Sequence, residues 1–188
     1  QSFIFVNVFD YQLDSLEMIF HERQIGAWCG VHALNNSLQH KAFDFRDAHK
    51  AAIKADSSLS EEIKAALSPP HERQLMDANG NLDVTVIMEM LILRGYNPEL
   101  VNSFTRLMRL IGSSTFNGSC LIVNSHSHYT AYRLQDGVWW MHDSMHSGPV
   151  SVTQKQLLNF LLTLAKGKNY SCLLYTSDAA YDLIGVVL

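Results

Sequence analysis

The first part of the chain has apolar residues at helical spacing. Val31, Leu34 and Leu38 form one apolar stripe, which predicts an amphipathic helix that begins at Cys29. A second helix is predicted over residues 44–53, because two aspartates placed three residues apart are typical of an N-cap and a first helical turn. The first half of the chain is therefore expected to be mostly helical.

Turn-forming residues separate two further predicted helices. Residues 58–67 have helical composition and end before a double proline, which cannot continue a helix. The run DANGNLD over residues 77–83 is typical of a turn. Apolar residues then recur at helical spacing over residues 84–91, and Gly95 is expected to end this helix.

The pattern changes in the second half of the chain. Residues 119–124, 128–134 and 138–144 are short runs rich in β-branched and aromatic residues, as is typical of strands. A T-x-x-Q capping box opens a final helix over residues 153–167. Helices followed by antiparallel strands predict the α+β class, with a helical N-terminal part followed by an antiparallel sheet.

Composition narrows the class of protein. The chain has 188 residues, of which 47% are hydrophobic, so it can bury one core as a globular domain. Its net charge of −4, without a run of Lys or Arg, argues against nucleic acid and anionic membranes as partners. No apolar run reaches the ~20 residues of a membrane span. The spacing of Cys29, Cys120 and Cys172 indicates no disulfide framework, which favours the cytoplasm, with the nucleus as a second location.

The surroundings of Cys29 indicate chemistry. In the run HERQIGAWCGVHALNN, a helical wheel places Cys29, His32 and Asn36 opposite the apolar stripe, which argues against an ordinary core thiol. Unpaired N–H groups and the helix dipole favour a thiolate in a first helical turn. Gln24 lies five residues upstream, where its amide can bind an oxyanion together with the Cys29 N–H, although an ordinary exposed polar residue is the alternative.

A nucleophilic thiolate needs an acid, and His128 is the best placed of nine histidines. It opens a predicted strand, and the next strand ends at Asp143, which can orient an imidazole. A two-residue turn at Asp136-Gly137 pairs Gln135 with Val138 and brings Asp143 within reach of His128, whereas a three-residue loop separates them. The alternatives are structural: a histidine bonded to a backbone carbonyl and an aspartate that caps a turn.

Four segments together resemble a known family. HERQIGAWCGVHALNNSLQ, GNLDVTVIMEML, HYTAYRL and WWMHDS occur in the order of the Josephin domain, a papain-like cysteine protease fold that removes ubiquitin. The resemblance is nearest to the short Josephin proteins that consist of little beyond the catalytic domain. It implies hydrolysis of isopeptide or ester bonds at the C-terminus of ubiquitin, with ubiquitin or ubiquitinated proteins as partners. It also implies that no metal or other cofactor takes part, and we expect a monomer.

The resemblance also assigns roles to individual residues. It implies a nucleophile, a general acid/base, an orienting carboxylate and an oxyanion glutamine, which fall on Cys29, His128, Asp143 and Gln24. His32 and Asn36 belong to the same motif, where they either support these residues or only stabilise the local structure. The chain departs from the family at Trp28, where an aliphatic residue is usual, and at Tyr129, where tryptophan is usual. Trp28 is expected to affect the substrate preference more than the activity.

The resemblance predicts three parts of the chain. Residues 1–18 are an unmatched lead-in, and residues 19–171 form the catalytic domain. Residues 172–188 are expected to be a non-native tail, because CLLYTSDAA resembles the translation of a sequencing adapter. The alternative is a native strand followed by a divergent apolar tail.

Two other functions compete with the protease hypothesis. A metal site is one, because His126 and His128 form an H-x-H pair with His142 and His146 nearby in the sequence. No recognised metal-binding motif supports it. The other is a ubiquitin-binding module that has the same fold but is catalytically weak.

Overall fold

The structure is a computed structural model that describes five stretches of the chain. These are residues 19–58, 75–101, 103–113, 120–167 and 170–176. The helix predicted over residues 58–67 lies outside the described residues, apart from Ser58 at the end of the preceding helix. The lead-in before residue 19 and the tail beyond residue 176 lie outside them as well.

Five helices are present in the described residues. They are α1 (Cys29–Leu38), α2 (Phe45–Ser57), α3 (Val84–Ile92), α4 (Phe104–Ile111) and α5 (Gln154–Gly167). The predictions of α1, α2, α3 and α5 are confirmed, whereas α4 was not predicted. At α2, the Asp44 carboxylate accepts from the Asp47 N–H and Asp47 accepts from the Asp44 N–H, which confirms the predicted start. None of the described helices has the length and apolar content of a membrane span.

The strands form one antiparallel sheet. They are β1 (Asn97–Leu100), β2 (Cys120–Ser125), β3 (His128–Gln135), β4 (Val138–His142), β5 (Val150–Val152) and β6 (Tyr170–Thr176). Their spatial order is β1-β6-β2-β3-β4-β5. The α+β class and the antiparallel sheet are therefore confirmed. The short strands β1 and β5 were not predicted, and both lie at the edges, where Pro98 of β1 is tolerated.

Helices cover both faces of the sheet. Along β2, Ile122 packs with the core of α1, α2 and α3, whereas Leu121 and Val123 pack with the core of α4 and α5. Strand β6, between β1 and β2, alternates in the same way, with Leu173 on the first face and Leu174 on the second. Residues 172–175 thus contribute to both cores, while the non-native origin of residues 172–188 stays a prediction.

The sequence-based placement of Cys29 outside the apolar side of α1 is wrong. Cys29 is 4% exposed and belongs to the buried cluster beneath α1, and Asn36 is fully buried. The reason is that α1 is covered on nearly every side, because it packs on β2, β3 and α3 and residues 20–25 fold back over its polar face. A helical wheel assumes one exposed side, which α1 lacks.

Candidate active site

The β3–β4 hairpin places a histidine next to a carboxylate. Asp136 and Gly137 both have positive φ, of 51° and 76°, and Gln135 pairs with Val138. The predicted two-residue turn is therefore confirmed. At the other end of the hairpin, His128 Nε2 lies 2.8 Å from Asp143 Oδ1.

His128 also contacts the cysteine at the start of α1. Because its Nε2 faces Asp143, Nδ1 is the ring nitrogen left for the hydrogen bond with the Cys29 side chain. This bond is the largest influence on the histidine and raises its pKa. Burial opposes the rise, and the hydrogen bond and charge of Asp143 add to it, so that the pKa of His128 reaches about 9. The imidazolium form is thus favoured at neutral pH.

Asp143 is held as an acceptor. Burial alone raises the pKa of its carboxyl group, but the N–H of Met145 and the His128 side chain together outweigh burial and lower it. The Met145 N–H donates to Asp143 Oδ1 over 2.9 Å, to the same oxygen that faces His128. The side chain is 18% exposed, so solvent screens the pair only in part. Asp143 can therefore fix the orientation of the imidazole.

Gln24 is bound to the turn that follows β4. Its backbone N–H donates to the Ser144 carbonyl over 2.9 Å, and its side-chain Oε1 accepts from Ser144 Oγ over 2.9 Å. Its Nε2 donates to the Gly26 carbonyl over 3.2 Å, which leaves the second amide N–H for a ligand. Three hydrogen bonds make Gln24 a fixed part of this region. The alternative of an ordinary exposed polar residue therefore fits poorly.

His32 and Asn36 of α1 form hydrogen bonds with the segment that contains Gln24. His32 Nε2 accepts from the Ile25 N–H, which leaves Nδ1 to donate to Glu22 Oε2 over 2.9 Å. Asn36 Nδ2 donates to the Glu22 carbonyl over 3.1 Å, and its Oδ1 accepts from the Glu22 N–H. Both residues thus contact the protein chain beside Gln24, and neither is assigned a bond to Cys29 or His128.

Two partners in this region were missed by sequence reasoning. The Glu22 carboxylate accepts from both His32 and Asn35, and the Asn35 Oδ1 accepts from the N–H groups of residues 42 and 43. Asn35 is 1% exposed, so its amide is a buried link between Glu22, α1 and the residues just before α2. Their only sequence signal is membership of the HERQ and ALNN runs, which does not reveal the pairing.

Trp28 lies at the N-cap of α1. An indole can only donate, so this N-cap leaves the first-turn N–H groups of α1 without a side-chain acceptor. The ring packs over Gly80, where a β-carbon would lie 2.6 Å away and φ is +100°. Trp28 also lines a cavity of about 420 Å³ together with Phe45. This cavity borders α1 but includes none of Cys29, His128 and Asp143.

The histidines of the competing metal hypothesis are not brought together. His126 bonds to the Ser125 hydroxyl, His128 bonds to Asp143, and His142 is fully buried in a stack with His21. No group of three or more His, Cys, Asp or Glu side chains in the described part of the chain can hold a metal ion. The cysteines are free thiols, and all three are buried.

We expect His142 to make stability fall at acid pH. Burial, helped by the charges of His21 and Arg133, lowers the pKa of His142 to about 4. The unfolded chain therefore binds more protons between pH 6.5 and pH 4, and folding loses about 3 kcal/mol across that window. Above pH 6.5 the imidazole is neutral in both states, so no loss is expected there. Urea unfolding at each pH measures the effect, and His142→Phe should flatten this part of the curve.

The matched control for this prediction is His49→Phe. His49 is exposed on α2, so its replacement should leave the slope unchanged. Equal slopes for the wild-type protein and His142→Phe between pH 6.5 and pH 4 would contradict the assignment to His142.

Comparisons with known proteins match the part of the chain that contains Cys29, His128 and Asp143. A family model described as Josephin matches residues 24–176. Ataxin-3 of Gallus gallus is 30% identical over 173 residues, which cover 87% of this chain and 46% of that protein. The ataxin-3-like protein of Homo sapiens is 28% identical over 173 residues, with 87% and 47% covered. The ataxin-3 homolog of Caenorhabditis elegans is 24% identical over 148 residues, with 79% and 46% covered. The chain thus spans about half the length of the curated relatives it matches.

Proposed function

Because the chain belongs to the Josephin family, we propose that it is a thiol-dependent deubiquitinase acting on isopeptide or ester bonds at the C-terminus of ubiquitin. The observation that carries the proposal is His128, whose two ring nitrogens face Cys29 on one side and Asp143 on the other. This arrangement joins a nucleophile, an acid/base and an orienting carboxylate, as acyl transfer requires.

The proposed reaction begins with the Cys29 thiolate. It attacks the carbonyl carbon of the C-terminal glycine of ubiquitin, while the imidazolium of His128 donates its proton to the departing lysine amine or alcohol. The acyl group is then bonded to sulfur, and the neutral imidazole removes a proton from water. Water attacks the thioester, free ubiquitin leaves, and the sulfur returns to the thiolate beside His128. The raised pKa of His128 suits the first proton transfer, because the histidine holds its proton at neutral pH.

The tetrahedral intermediate carries a negative oxygen that needs donors. The Cys29 N–H lies in the first turn of α1, where the helix supplies no acceptor for it. The second N–H of the Gln24 amide is the other donor that we assign to the oxyanion. His32 and Asn36 take part indirectly, because they hold the segment that carries Gln24 against α1. No step of this proposed reaction calls for a metal or another cofactor.

The experiment that tests the proposal is mass spectrometry after incubation with ubiquitin that carries a C-terminal electrophile. We expect one covalent adduct, mapped to Cys29 by peptide sequencing. The same electrophile on a short unrelated peptide is the control for general thiol reactivity. Burial in the sheet raises the pKa of the Cys120 and Cys172 thiols, so both should stay protonated and unmodified.

The outcomes separate the candidate functions. An adduct with ubiquitin and none with the peptide supports a deubiquitinase. Ubiquitin binding by calorimetry without an adduct indicates the non-catalytic module instead. A folded protein that neither binds ubiquitin nor reacts with the electrophile contradicts both.

A further inference from the structure

The turn after β4 contacts two separate parts of the site through adjacent residues. Asp143 accepts from His128, and Ser144 bonds to Gln24 through both its carbonyl and its hydroxyl. Ser144 is 1% exposed, so water does not compete for these bonds. Because Asp143 and Ser144 are adjacent in this turn, they connect the acid/base His128 to the oxyanion residue Gln24.

The hydrogen-bond chemistry fixes which end of the Gln24 amide points where. The Gly26 carbonyl can only accept, so the NH₂ end has to face it. The Ser144 hydroxyl then donates to Oε1 at the other end. With the amide reversed, its oxygen would lie beside the Gly26 carbonyl and would repel an oxyanion. Loss of the Ser144 hydroxyl removes the side-chain bond that holds Oε1 away from the reacting carbonyl.

We propose that Ser144 is a positioning residue for the oxyanion site, which it assembles by holding Gln24 at both its backbone and its side chain. The inference rests on the proposed deubiquitinase function and adds a residue to it. Ser144 itself contacts neither Cys29 nor His128 among the bonds described, so it acts through Gln24.

The test compares Ser144→Ala, Gln24→Ala and the double variant on a fluorogenic ubiquitin substrate. Ser144→Ala should lower kcat about tenfold with little change in KM, because one buried hydrogen bond is lost and the donor is misplaced. Gln24→Ala should lower kcat about 10²-fold. Because Ser144 acts through Gln24, the double variant should be no slower than Gln24→Ala alone.

A second readout separates positioning from general damage. Alkylation of Cys29 by iodoacetamide is a displacement at a saturated carbon, so it reports the thiolate and its His128 partner without an oxyanion. Cys29 of the Ser144→Ala variant should therefore be alkylated at the wild-type rate over the whole pH range. The matched control is Ser37→Ala, since Ser37 is also buried and hydrogen-bonded but lies at the far end of α1. It should lower stability and leave kcat unchanged.

Two results would overturn the inference. Losses that multiply in the double variant would mean that Ser144 acts independently of Gln24. Slower alkylation of Ser144→Ala would mean that the serine acts through Asp143 and His128 instead. Failure of the proposed function is visible separately, because it appears in the wild-type protein as absent turnover before any variant is compared.

Discussion

Replacing Cys29 by alanine is expected to abolish hydrolysis of ubiquitin conjugates, with kcat/KM falling by about 10⁴-fold or more. The methyl group of alanine cannot attack a carbonyl carbon, and no other described thiol contacts His128. The substitution removes only the thiol, so substrate binding should persist while turnover is lost. Release of a fluorophore from the ubiquitin C-terminus measures the rate, and calorimetry measures the binding that remains.

The matched control for this variant is Cys172→Ala. Cys172 is also buried, but burial raises its pKa to about 12, so its thiol stays protonated and inert. Its removal leaves a small cavity and should lower stability by about 1 kcal/mol, whereas the activity of the folded fraction should be unchanged. Activity retained by Cys29→Ala, or lost in Cys172→Ala at full folding, would end the assignment of the nucleophile.

The local parts of the site could be predicted from the sequence because each depends on neighbouring residues. The Asp136-Gly137 turn has positive φ at both positions, which Asp and Gly tolerate, and this fixes the strand register. The register in turn brings His128 to Asp143. The start of α1 at Cys29 followed from the apolar spacing in the same way.

The remaining parts depend on contacts between distant segments. Cys29 is buried because α1 packs on β2, β3 and α3, and Ser144 meets Gln24 across 120 positions of sequence. Neither contact leaves a periodic signal in either segment. The edge strand β1 was missed because four residues that include a proline fall below any strand pattern. Helix α4 was missed because it buries only Leu107 and Ile111 fully, and this apolar stripe is too short to give a clear helical pattern.

His128→Ala is expected to lower kcat/KM by about 10³-fold, because the reaction loses both the acid for the leaving group and the base for water. Asp143→Ala should cost less, roughly 10- to 100-fold, as expected for one charge-assisted hydrogen bond. The reason for this order is that the bond with Cys29, more than Asp143, raises the pKa of His128. His40→Ala is the control, since His40 is exposed beyond α1 and should leave activity unchanged. A larger loss for Asp143→Ala than for His128→Ala would contradict these roles.

The pH dependence gives the same assignment an independent test. The imidazolium of His128 is the proposed acid, so kcat/KM should fall as pH rises through about 9, where this group loses its proton. Removing either partner takes away an influence that raises the pKa, so it should fall in both Asp143→Ala and Cys29→Ala. The greater fall should occur in Cys29→Ala, because the bond with Cys29 is the largest influence. NMR titration of the His128 ring measures the pKa directly, without turnover. A wild-type value near 6.5, unchanged by loss of Cys29, would mean that the thiol and the imidazole do not form the ion pair on which the mechanism depends.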